Sequence, residues 1–448
     1  MLGIMNGMVM QRNGNDVCEI TVMSEKELSS VKYSGKISGY ADIKSLGSGQ
    51  YQITGIPVGG PYYIDVDGEA FTDIYVGDLW ILAGQSNMQG VGWLTDEEWN
   101  DKGHPEIRAL YMQDYWAPAV DPLHLMWRAK DKIHITLTEG WEIPDDDRDL
   151  VGGVGPGVSF ARKMYELENK VPQGLLCCAH GGTSLTQWSP DLKEQGADNS
   201  LYAAMLRRFR ANGSNVKGMF WYQGCHEGFA CEGDIYTELM KNFMGAVHED
   251  FGNIPTIQVQ IARVAHEELE GIVESWVKVR ESQRLMDRVV DNLYTISAIN
   301  KPTDDIIHLS RGAQNELGAQ AAEAMYYAIY GTDEKGFIAP PQFDCIKLHE
   351  HPVNKKITIE VKFKNLYGSL KSLGRPTGFS ITHNKYDRDI DVVICVELKG
   401  DTALVRTELT KERMQGAYLY YGFGLNPYCN ITDQRGREMP CFGPIEIL

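Results

Sequence analysis

The chain has 448 residues, enough for two or three domains, and its 61 acidic against 43 basic residues give a formal net charge of −18 at pH 7. This balance excludes the basic surface that nucleic acids and anionic membranes require, and no stretch approaches the roughly 20 apolar residues of a membrane span. Nine irregularly spaced cysteines without a C-x-x-C pair, and an opening segment unlike a signal peptide, predict reduced thiols and a cytoplasmic protein.

The first 75 residues have the texture of a β domain. Short alternating runs, CEITVMSE, SVKYSGKISGY, GQYQITGIPVGG and PYYIDVDG, are separated by glycine, serine and asparagine turns. No helical period interrupts them. The sequence therefore predicts an N-terminal β domain over residues 1–75.

Strand-like and helix-like segments alternate over residues 76–332. The predicted strands are VGDLWILAG, QGLLCCAH, VKGMFWYQG, PTIQVQIA and LYTISAI. The predicted helices are GVSFARKMYELENK, LYAAMLRRFRAN, IYTELMKNFMGAVHEDFG, VESWVKVRESQRLMDRVV and GAQNELGAQAAEAMYYAIYG. This order predicts an α/β domain with a parallel central sheet and helices on both faces.

Two further segments complete the organisation. Residues 114–152 are aromatic-rich and fit no regular element, which is typical of a binding loop. From residue 333 the β texture returns in KKITIEVKFKN, DVVICVELKG, ALVRTELT and AYLYYGFG. We therefore predict a C-terminal β domain over residues 333–448.

Polar residues follow several predicted strands of the α/β domain, where active sites of parallel sheets lie. They are Ser86 in GQSN, Gly182 in HGGTSL, Gln223 in WYQG, and Asp305 with His308 in DDIIH. Together they supply the roles of acyl transfer. The serine is the nucleophile, the histidine is the base, and the aspartate orients the histidine. The N–H groups of Ser86 and Gly182 and the amide of Gln223 are the oxyanion donors, and a Cβ at residue 182 is expected to block the approach of a ligand.

These segments resemble the conserved blocks of the SGNH hydrolases, and more closely those of the sialate O-acetylesterase-like carbohydrate esterases. In that family GQSN carries the nucleophile, the Gly-rich and W-x-Q-G blocks form the oxyanion hole, and D-x-x-H supplies acid and base. Three further segments resemble the family's opening β domain, the start of its first long helix and its closing β segment. They are MNGMVMQR, VGPGVSFA and YYGFGLNPYCNITDQRGREMPCFGP, so the likeness covers nearly the whole chain. The resemblance implies an SGNH-type three-layer α/β/α catalytic domain with a parallel central sheet.

The chain departs from the family pattern after W-Y-Q-G. The superfamily has Asn where Gln223 stands, but the closer family also has Gln, so an amide donor is kept. The Glu-Ser that commonly follows is replaced by Cys225-His226-Glu227. We expect His226 or Glu227 to restore a polar contact with substrate, and Asn87 and Trp188 to line the pocket.

Other chemistries fit the sequence less well. Met88 stands where the G-x-S-x-G elbow of an α/β-hydrolase needs glycine. A cysteine nucleophile at Cys225 with His226 as its base is disfavoured, because adjacent residues of an extended segment point apart. The cluster at residues 349–351 lacks the helical H-E-x-x-H spacing of a zinc site. A non-catalytic carbohydrate-binding protein on an esterase scaffold remains the alternative.

The sequence thus predicts a serine esterase that removes O-acetyl groups from a carbohydrate, either acetylated sialic acid or a plant-type oligosaccharide. The reaction passes through an acyl-enzyme and requires no metal and no organic cofactor. The expected partner is an acetylated mono- or oligosaccharide, with no nucleic acid and no membrane, and a homo-oligomer is compatible with the sequence. The identity of the sugar and of the esterified hydroxyl is left open.

Overall fold

The structure is a computed structural model that describes residues 1–267, 269 and 271–448. The chain divides into two compact units, each built from several segments. The first unit comprises Met1–Trp221, Asn242–Thr256 and Ser310–Met325. The second unit comprises Tyr222–Lys241, Ile257–Leu309 and Tyr326–Leu448.

The strands follow one another along the chain as β1 (Val9–Gln11), β2 (Val17–Met23), β3 (Val31–Ser34), β4 (Gly39–Gly47), β5 (Gln50–Pro57), β6 (Gly59–Val66), β7 (Glu69–Gly84), β8 (Gly92–Trp93), β9 (Ile107–Leu110), β10 (Trp116–Pro118), β11 (Gly152–Val154), β12 (Gln173–Cys177), β13 (Gly218–Tyr222), β14 (Thr256–Gln260), β15 (Leu293–Ser297), β16 (Gln342–Glu350), β17 (Lys356–Lys364), β18 (Lys371–Ser372), β19 (Phe379–Thr382), β20 (Val393–Lys399), β21 (Thr402–Thr410), β22 (Tyr418–Tyr421), β23 (Ile431–Thr432) and β24 (Phe442–Glu446).

The α-helices are α1 (Ser86–Gln89), α2 (Asp96–Asn100), α3 (Lys132–Thr136), α4 (Gly157–Leu167), α5 (Leu201–Ala211), α6 (Cys225–Phe229), α7 (Tyr236–Phe251), α8 (Ile272–Leu285), α9 (Arg311–Tyr330) and α10 (Lys411–Met414). Short 3-10 helices occupy Met126–Arg128, Asp147–Asp149, Pro190–Gln195 and Met286–Arg288. The chain is therefore a mixed α/β protein with β regions before and after the helical segments. Helix α4 stops before the predicted end, because Asn169 and Lys170 adopt positive φ angles of 52° and 71°.

A large mixed sheet dominates the first unit. Its strands run in the order β10-β9-β12-β7-β6-β3-β4-β5-β2, and β1 and β13 also pair with β7. Strand β12 is parallel to both β7 and β9, as predicted for the α/β region. However, β6 and β10 are antiparallel to their neighbours β7 and β9, so the parallel strands belong to a larger mixed sheet.

Strand β7 joins the N-terminal strands to the α/β part of this sheet. A two-residue turn, Asp67-Gly68, joins β6 to β7, with φ angles of 47° and 90° that suit a tight hairpin. The first half of β7 therefore continues the N-terminal β region, and its second half, buried from Ile74 onward, pairs with β12. The predicted boundary between residues 75 and 76 falls inside this strand, and the three-domain division stays a prediction.

A buried ion network fixes the N-terminal segment to β7. Arg12 follows β1, and its Nε and Nη2 donate to the two carboxylate oxygens of Asp78 at 2.9 and 2.8 Å. Its Nη2 also donates to Glu168, just past α4, at 2.8 Å. All three side chains are buried, so removal of any one of them would leave a buried charge without compensation. These contacts account for the arginine that closes MNGMVMQR.

Antiparallel sheets form most of the second unit. Their strand orders are β16-β17-β21-β20, β19-β22-β24 and β18-β23, and they enclose a hydrophobic core built largely from these strands. The structure thus confirms the β texture predicted from residue 333 onward. In the described residues no helix is both long enough and apolar enough to cross a membrane.

Candidate active site

The turn after β7 presents Ser86. The strand ends at Gly84, whose φ of 132° lies in a region that side-chain-bearing residues avoid, so the backbone turns sharply there. The carbonyl of Gln85 then accepts from the N–H groups of Met88 and Gln89, each at 2.9 Å, and closes the single turn of α1. Ser86 is the first residue of that turn and is partly exposed, while Leu82 and Ala83 before it are buried. A buried strand therefore holds an accessible hydroxyl at its carboxyl end.

The glycine-rich segment after β12 lies against this turn. The N–H of His180 donates to the carbonyl of Gly84 at 2.9 Å, which prolongs the pairing of β12 with β7. The N–H of Gly181 then donates to Oε1 of Gln89 at 2.7 Å. A Cβ built on Gly181 would lie 2.8 Å from this oxygen and 3.5 Å from the Cβ of Ser86. A side chain at residue 181 would therefore push away the Gln89 amide that binds its N–H, and it would crowd Trp141.

The backbone at Gly182 favours glycine. A Cβ at this residue would meet no atom of the chain within 4 Å, so the space beside it is open. Its φ of 71° lies in the left-handed region, which favours glycine. That a Cβ would block a ligand stays a prediction. Gly182 is exposed, unlike its neighbours Gly181 and Thr183.

Asn87 and Trp188 lie beneath the surface of the first unit. Asn87 is 1% exposed, and its Oδ1 accepts from Nε2 of Gln314, on α9, at 3.2 Å. Trp188 is fully buried and donates from Nε1 to Oγ1 of Thr183 at 2.9 Å. Both side chains thus hold the segments that carry Ser86 and Gly182. Their predicted contact with substrate stays a prediction.

An aromatic side chain of the 114–152 segment borders the same turn. The Trp141 ring lies 5.5 Å from the ring of His180, and its Cη2 would be 3.3 Å from a Cβ on Gly181. Trp141 is 39% exposed. Beneath it, Nδ1 of buried His180 lies 3.0 Å from Nδ1 of buried His134. Burial lowers the pKa of His180 to about 4 and that of His134 well below its ordinary value, so both imidazoles are neutral at pH 7.

In the second unit, a carboxylate holds the amide of Gln223. This residue follows β13, and Gly224, with a φ of 134°, leads directly into α6. One helical turn later, Oε2 of Glu227 accepts from Nε2 of Gln223 at 2.6 Å, and both side chains are 0% exposed. The carbonyl of Gln223 in turn accepts from Nε2 of Gln283 at 2.8 Å. This carbonyl belongs to the backbone, so Glu227 holds the side-chain amide of Gln223 and Gln283 holds its main chain. His226, between them on α6, is partly buried.

Asp305 and His308 form a hydrogen-bonded pair, also in the second unit. Oδ1 of Asp305 accepts from the N–H groups of Ile307 and His308 at 2.8 and 2.7 Å, and His308 Nδ1 donates to Oδ2 at 2.6 Å. Partial burial raises the pKa of Asp305, but these hydrogen bonds outweigh it and the net pKa is lowered. The aspartate is thus ionised at neutral pH and fixes the proton on Nδ1 of His308, which leaves Nε2 as the basic nitrogen.

Competing site hypotheses find no support in the described residues. Burial raises the pKa of the Cys225 thiol to about 12, with Glu227 as a further cause, so a nucleophilic thiolate is disfavoured at neutral pH. His349 instead pairs with Glu360, its Nε2 lying 2.7 Å from Oε2. Within the described residues no cluster of three or more His, Cys, Asp or Glu side chains is arranged to hold a metal ion.

The structure therefore assembles the predicted residues in two groups. The first unit brings the Gly-rich segment of Gly182 beside Ser86, and the second unit pairs Asp305 with His308. Gln223 forms its own pair with Glu227 in the second unit. The joint action of these groups is part of the proposal below.

Residues 76–327, more than half of the chain, match the family described as "Carbohydrate esterase, sialic acid-specific acetylesterase". A search of curated protein sequences found no match.

Several solved structures are similar to this chain. XAC1771, described as a novel carbohydrate acetylesterase from Xanthomonas citri, aligns with a TM-score of 0.70 at 20% identity, covering 99% of this chain and 98% of that one. A protein from Arabidopsis thaliana has a TM-score of 0.41 and 27% identity over 56% of this chain and 98% of its own. NanS has a TM-score of 0.41 and 15% identity, over 56% of this chain and 96% of its own.

The likeness to XAC1771 shows that the two chains share a fold over almost their whole lengths. The family match covers the segments that carry Ser86, the Gly-rich block, Gln223 and the D-x-x-H pair. This chain belongs to the carbohydrate esterase, sialic acid-specific acetylesterase family, and it is a carboxylic ester hydrolase.

Proposed function

We propose that the protein is a serine esterase that removes O-acetyl groups from a carbohydrate through an acyl-enzyme. Ser86 is the nucleophile, His308 the general base and then acid, and Asp305 the residue that orients His308. The observation that carries this proposal is the Asp305–His308 pair. A carboxylate held by two backbone N–H groups meets Nδ1 at 2.6 Å, which leaves Nε2 to accept a proton.

The proposed reaction has two stages, transfer of the acetyl group to Ser86 and hydrolysis of the acetyl-enzyme. His308 Nε2 takes the proton of Ser86 Oγ as Oγ bonds to the acetyl carbon, and the carbonyl oxygen becomes an oxyanion. The C–O bond to the sugar then breaks, and the imidazolium returns its proton to the departing sugar oxygen. Water, deprotonated by the same nitrogen, then attacks the acetyl carbon. The bond from this carbon to Oγ breaks, the imidazolium returns its proton to Oγ, and acetate and free Ser86 result. No metal and no organic cofactor takes part in this scheme.

In this proposal the oxyanion is held by the N–H groups of Ser86 and Gly182 and by the amide of Gln223. The left-handed backbone at Gly182 and the open space beside it support its role. For Gln223, the bond from Nε2 to Glu227 at 2.6 Å orients the side-chain amide that we assign to the oxyanion hole.

We propose that the acetylated substrate is either sialic acid or a plant-type oligosaccharide, bound by an SGNH-type three-layer α/β/α domain. The Trp141 ring, partly exposed beside Gly181 and Ser86, supports a sugar subsite formed by the 114–152 segment. Of the remaining predicted contacts, His226 is the most exposed, whereas Asn87, Trp188 and Glu227 are buried. We assign these three to support of the site, because their side chains bond to Gln314, Thr183 and Gln223 respectively.

Acetate release by purified wild type and by Ser86→Ala tests the proposal. The panel contains 4-nitrophenyl acetate, O-acetyl sialic acid, and acetylated xylo- and manno-oligosaccharides. We expect kcat to fall on the order of a million-fold in Ser86→Ala, as for loss of a triad nucleophile. Ser45→Ala, at an exposed serine of β4 outside these segments, is the control and should retain activity.

Two outcomes would overturn the proposal. Full activity of Ser86→Ala would exclude Ser86 as the nucleophile. Failure of well-folded wild type to release acetate from any ester, together with binding of the same glycans, would favour a non-catalytic carbohydrate-binding protein instead.

A further inference from the structure

An open cavity lies on the solvent face of the N-terminal β region, within the first unit. It has a volume of about 600 Å³, which is within the range of ligand pockets in proteins. Side chains of three neighbouring strands, β4, β3 and β6, line it. The lining side chains that bear on the argument are Lys32, Ser34, Ser38, Tyr40, Tyr63 and Asp65.

The strand register explains why these side chains share one face. Lys32 stands opposite Tyr40 on β4 and opposite Asp65 on β6, and Ser34 stands opposite Tyr63. Paired residues of adjacent strands point to the same side of a sheet, and the alternate residues point to the other side. The alternate residues here, which include Val31, Ile64 and Val66, are buried in the core. The strand register therefore places the lining side chains together on the solvent face of the sheet.

Two tyrosine rings are the main apolar surfaces of this face. Tyr40 is 70% exposed and Tyr63 is 45% exposed, although large aromatic side chains usually bury most of their area. They lie two strands and one side-chain repeat apart, which corresponds to a separation of about 12 Å. Such a spacing suits a short chain of ring-shaped units better than a single ring.

The polar groups between the tyrosines balance in charge. Lys32 Nζ lies 5.7 Å from the centre of the Tyr40 ring, and Asp65 faces Lys32 from the other strand. One cation and one anion leave the face without net charge, while the hydroxyls of Ser34 and Ser38 add further donors and acceptors. An anionic ligand such as a nucleic acid gains nothing here, since the whole chain also carries a net charge of −18.

We propose that this Tyr40–Tyr63 face is a second, non-catalytic binding site for a neutral oligosaccharide. The apolar faces of sugar rings stack on the two tyrosines, and the sugar hydroxyls bond to Lys32, Asp65 and the serines. The choice of a carbohydrate ligand rests on the membership of the chain in a carbohydrate esterase family, and the site itself does not depend on the reaction of Ser86. Its function is to hold a glycan chain on the protein through contacts that do not require an ester.

Calorimetric titration of wild type with unacetylated xylotetraose, mannotetraose and cellotetraose tests this site, because these glycans cannot be hydrolysed as esters. We expect one of them to bind, and Tyr40→Ala and Tyr63→Ala each to weaken that binding by about tenfold. Ile37→Ala is the matched control, since Ile37 is exposed on the same β hairpin but does not line the cavity. It should bind like wild type.

Circular dichroism and thermal unfolding of each variant verify that it is folded. No binding of any of the three glycans by wild type would overturn the proposal, and so would unchanged binding by both folded tyrosine variants. Acetate release is measured on the same wild-type preparation. A protein that releases acetate but binds no unacetylated glycan refutes the second site alone, and one that binds through Tyr40 and Tyr63 without releasing acetate refutes the esterase mechanism alone.

Discussion

Residue 225 is where this chain departs from the family's W-x-Q-G-Glu-Ser pattern, and the structure shows what stands in its place. Cys225 is the first residue of α6 and is buried. Two positions later, Glu227 turns back over one helical turn and accepts the hydrogen bond from Gln223 at 2.6 Å. A charged acceptor strengthens such a bond and restricts the orientation of the amide. The carboxylate thus lies near the predicted oxyanion donor, at a different position in the sequence.

Glu227→Ala should therefore lower kcat and leave KM nearly unchanged. If Glu227 positions the proposed oxyanion donor, its loss should cost on the order of a hundredfold in kcat, comparable with loss of one donor. Glu227→Gln, which keeps an acceptor but not the charge, should recover most of the activity. Steady-state kinetics with 4-nitrophenyl acetate provide the measurement.

The double variant Gln223→Ala/Glu227→Ala separates a positioning role from a merely structural one. Because Glu227 acts through Gln223, the double variant should be no slower than Gln223→Ala alone. Independent, additive losses in kcat, or a change in KM without a change in kcat, would contradict the positioning role.

The sequence predicts a loop over residues 114–152, whereas the structure has several short helices and strands there, with buried histidines beneath them. Strand β10, helix α3 and two 3-10 turns lie within it. His124 and His134 are buried beneath the segment, with His124 Nδ1 2.9 Å from the carbonyl of Gln89. The segment is thus anchored close to α1, and it presents Trp141 beside Gly181. Its aromatic composition indicated binding, but the fold was needed to show that Trp141 is the tryptophan beside the turn of Ser86.

Trp141→Ala should raise KM for the acetylated oligosaccharide by about tenfold, because an exposed ring beside Ser86 gives a sugar an apolar surface on which to stack. KM for 4-nitrophenyl acetate should change less, since this ester lacks a sugar, and Trp141→Phe should retain most of the affinity. Ile143→Ala, also exposed and on the same segment, is the control and should leave both KM values near wild type. Equal losses of kcat on both esters would instead indicate that Trp141 supports the fold of the site.

At the scale of the whole molecule, local sequence patterns predicted the local structure, but they did not predict contacts between residues far apart in the sequence. The alternation of strands and helices indicated the α/β class, and the three-residue spacing of D-x-x-H brought Asp305 and His308 together without any distant contact. By contrast, Gln89 meets Gly181 across 92 positions of sequence. No local pattern marks such a contact. Nor did the sequence indicate that a hairpin joins β7 to the N-terminal strands in one mixed sheet.

The pH dependence of the free energy of unfolding should also reflect His124, which is buried in the 114–152 segment. Burial, the largest cause, lowers the pKa of His124 from 6.5 to about 3, although its bond to the Gln89 carbonyl opposes this shift. Between these two pH values the unfolded chain binds a proton that the folded chain does not. The contribution of His124 to stability is therefore complete above pH 6.5 and is lost as the pH falls, by about 1.4 kcal/mol per pH unit.

Two variants isolate this titration, because each removes the imidazole and only one keeps a hydrogen-bond donor. His124→Gln can still donate to the Gln89 carbonyl, whereas His124→Phe cannot, so the phenylalanine variant should be the less stable of the two at pH 7. Both should nevertheless lose stability less steeply than wild type below pH 6, by the same 1.4 kcal/mol or so per pH unit. Urea unfolding at several pH values between 7.5 and 5 measures the free energy of unfolding of all three proteins. Curves that run parallel to wild type would show that His124 is protonated equally in the folded and unfolded chains, and its burial would then not determine its charge.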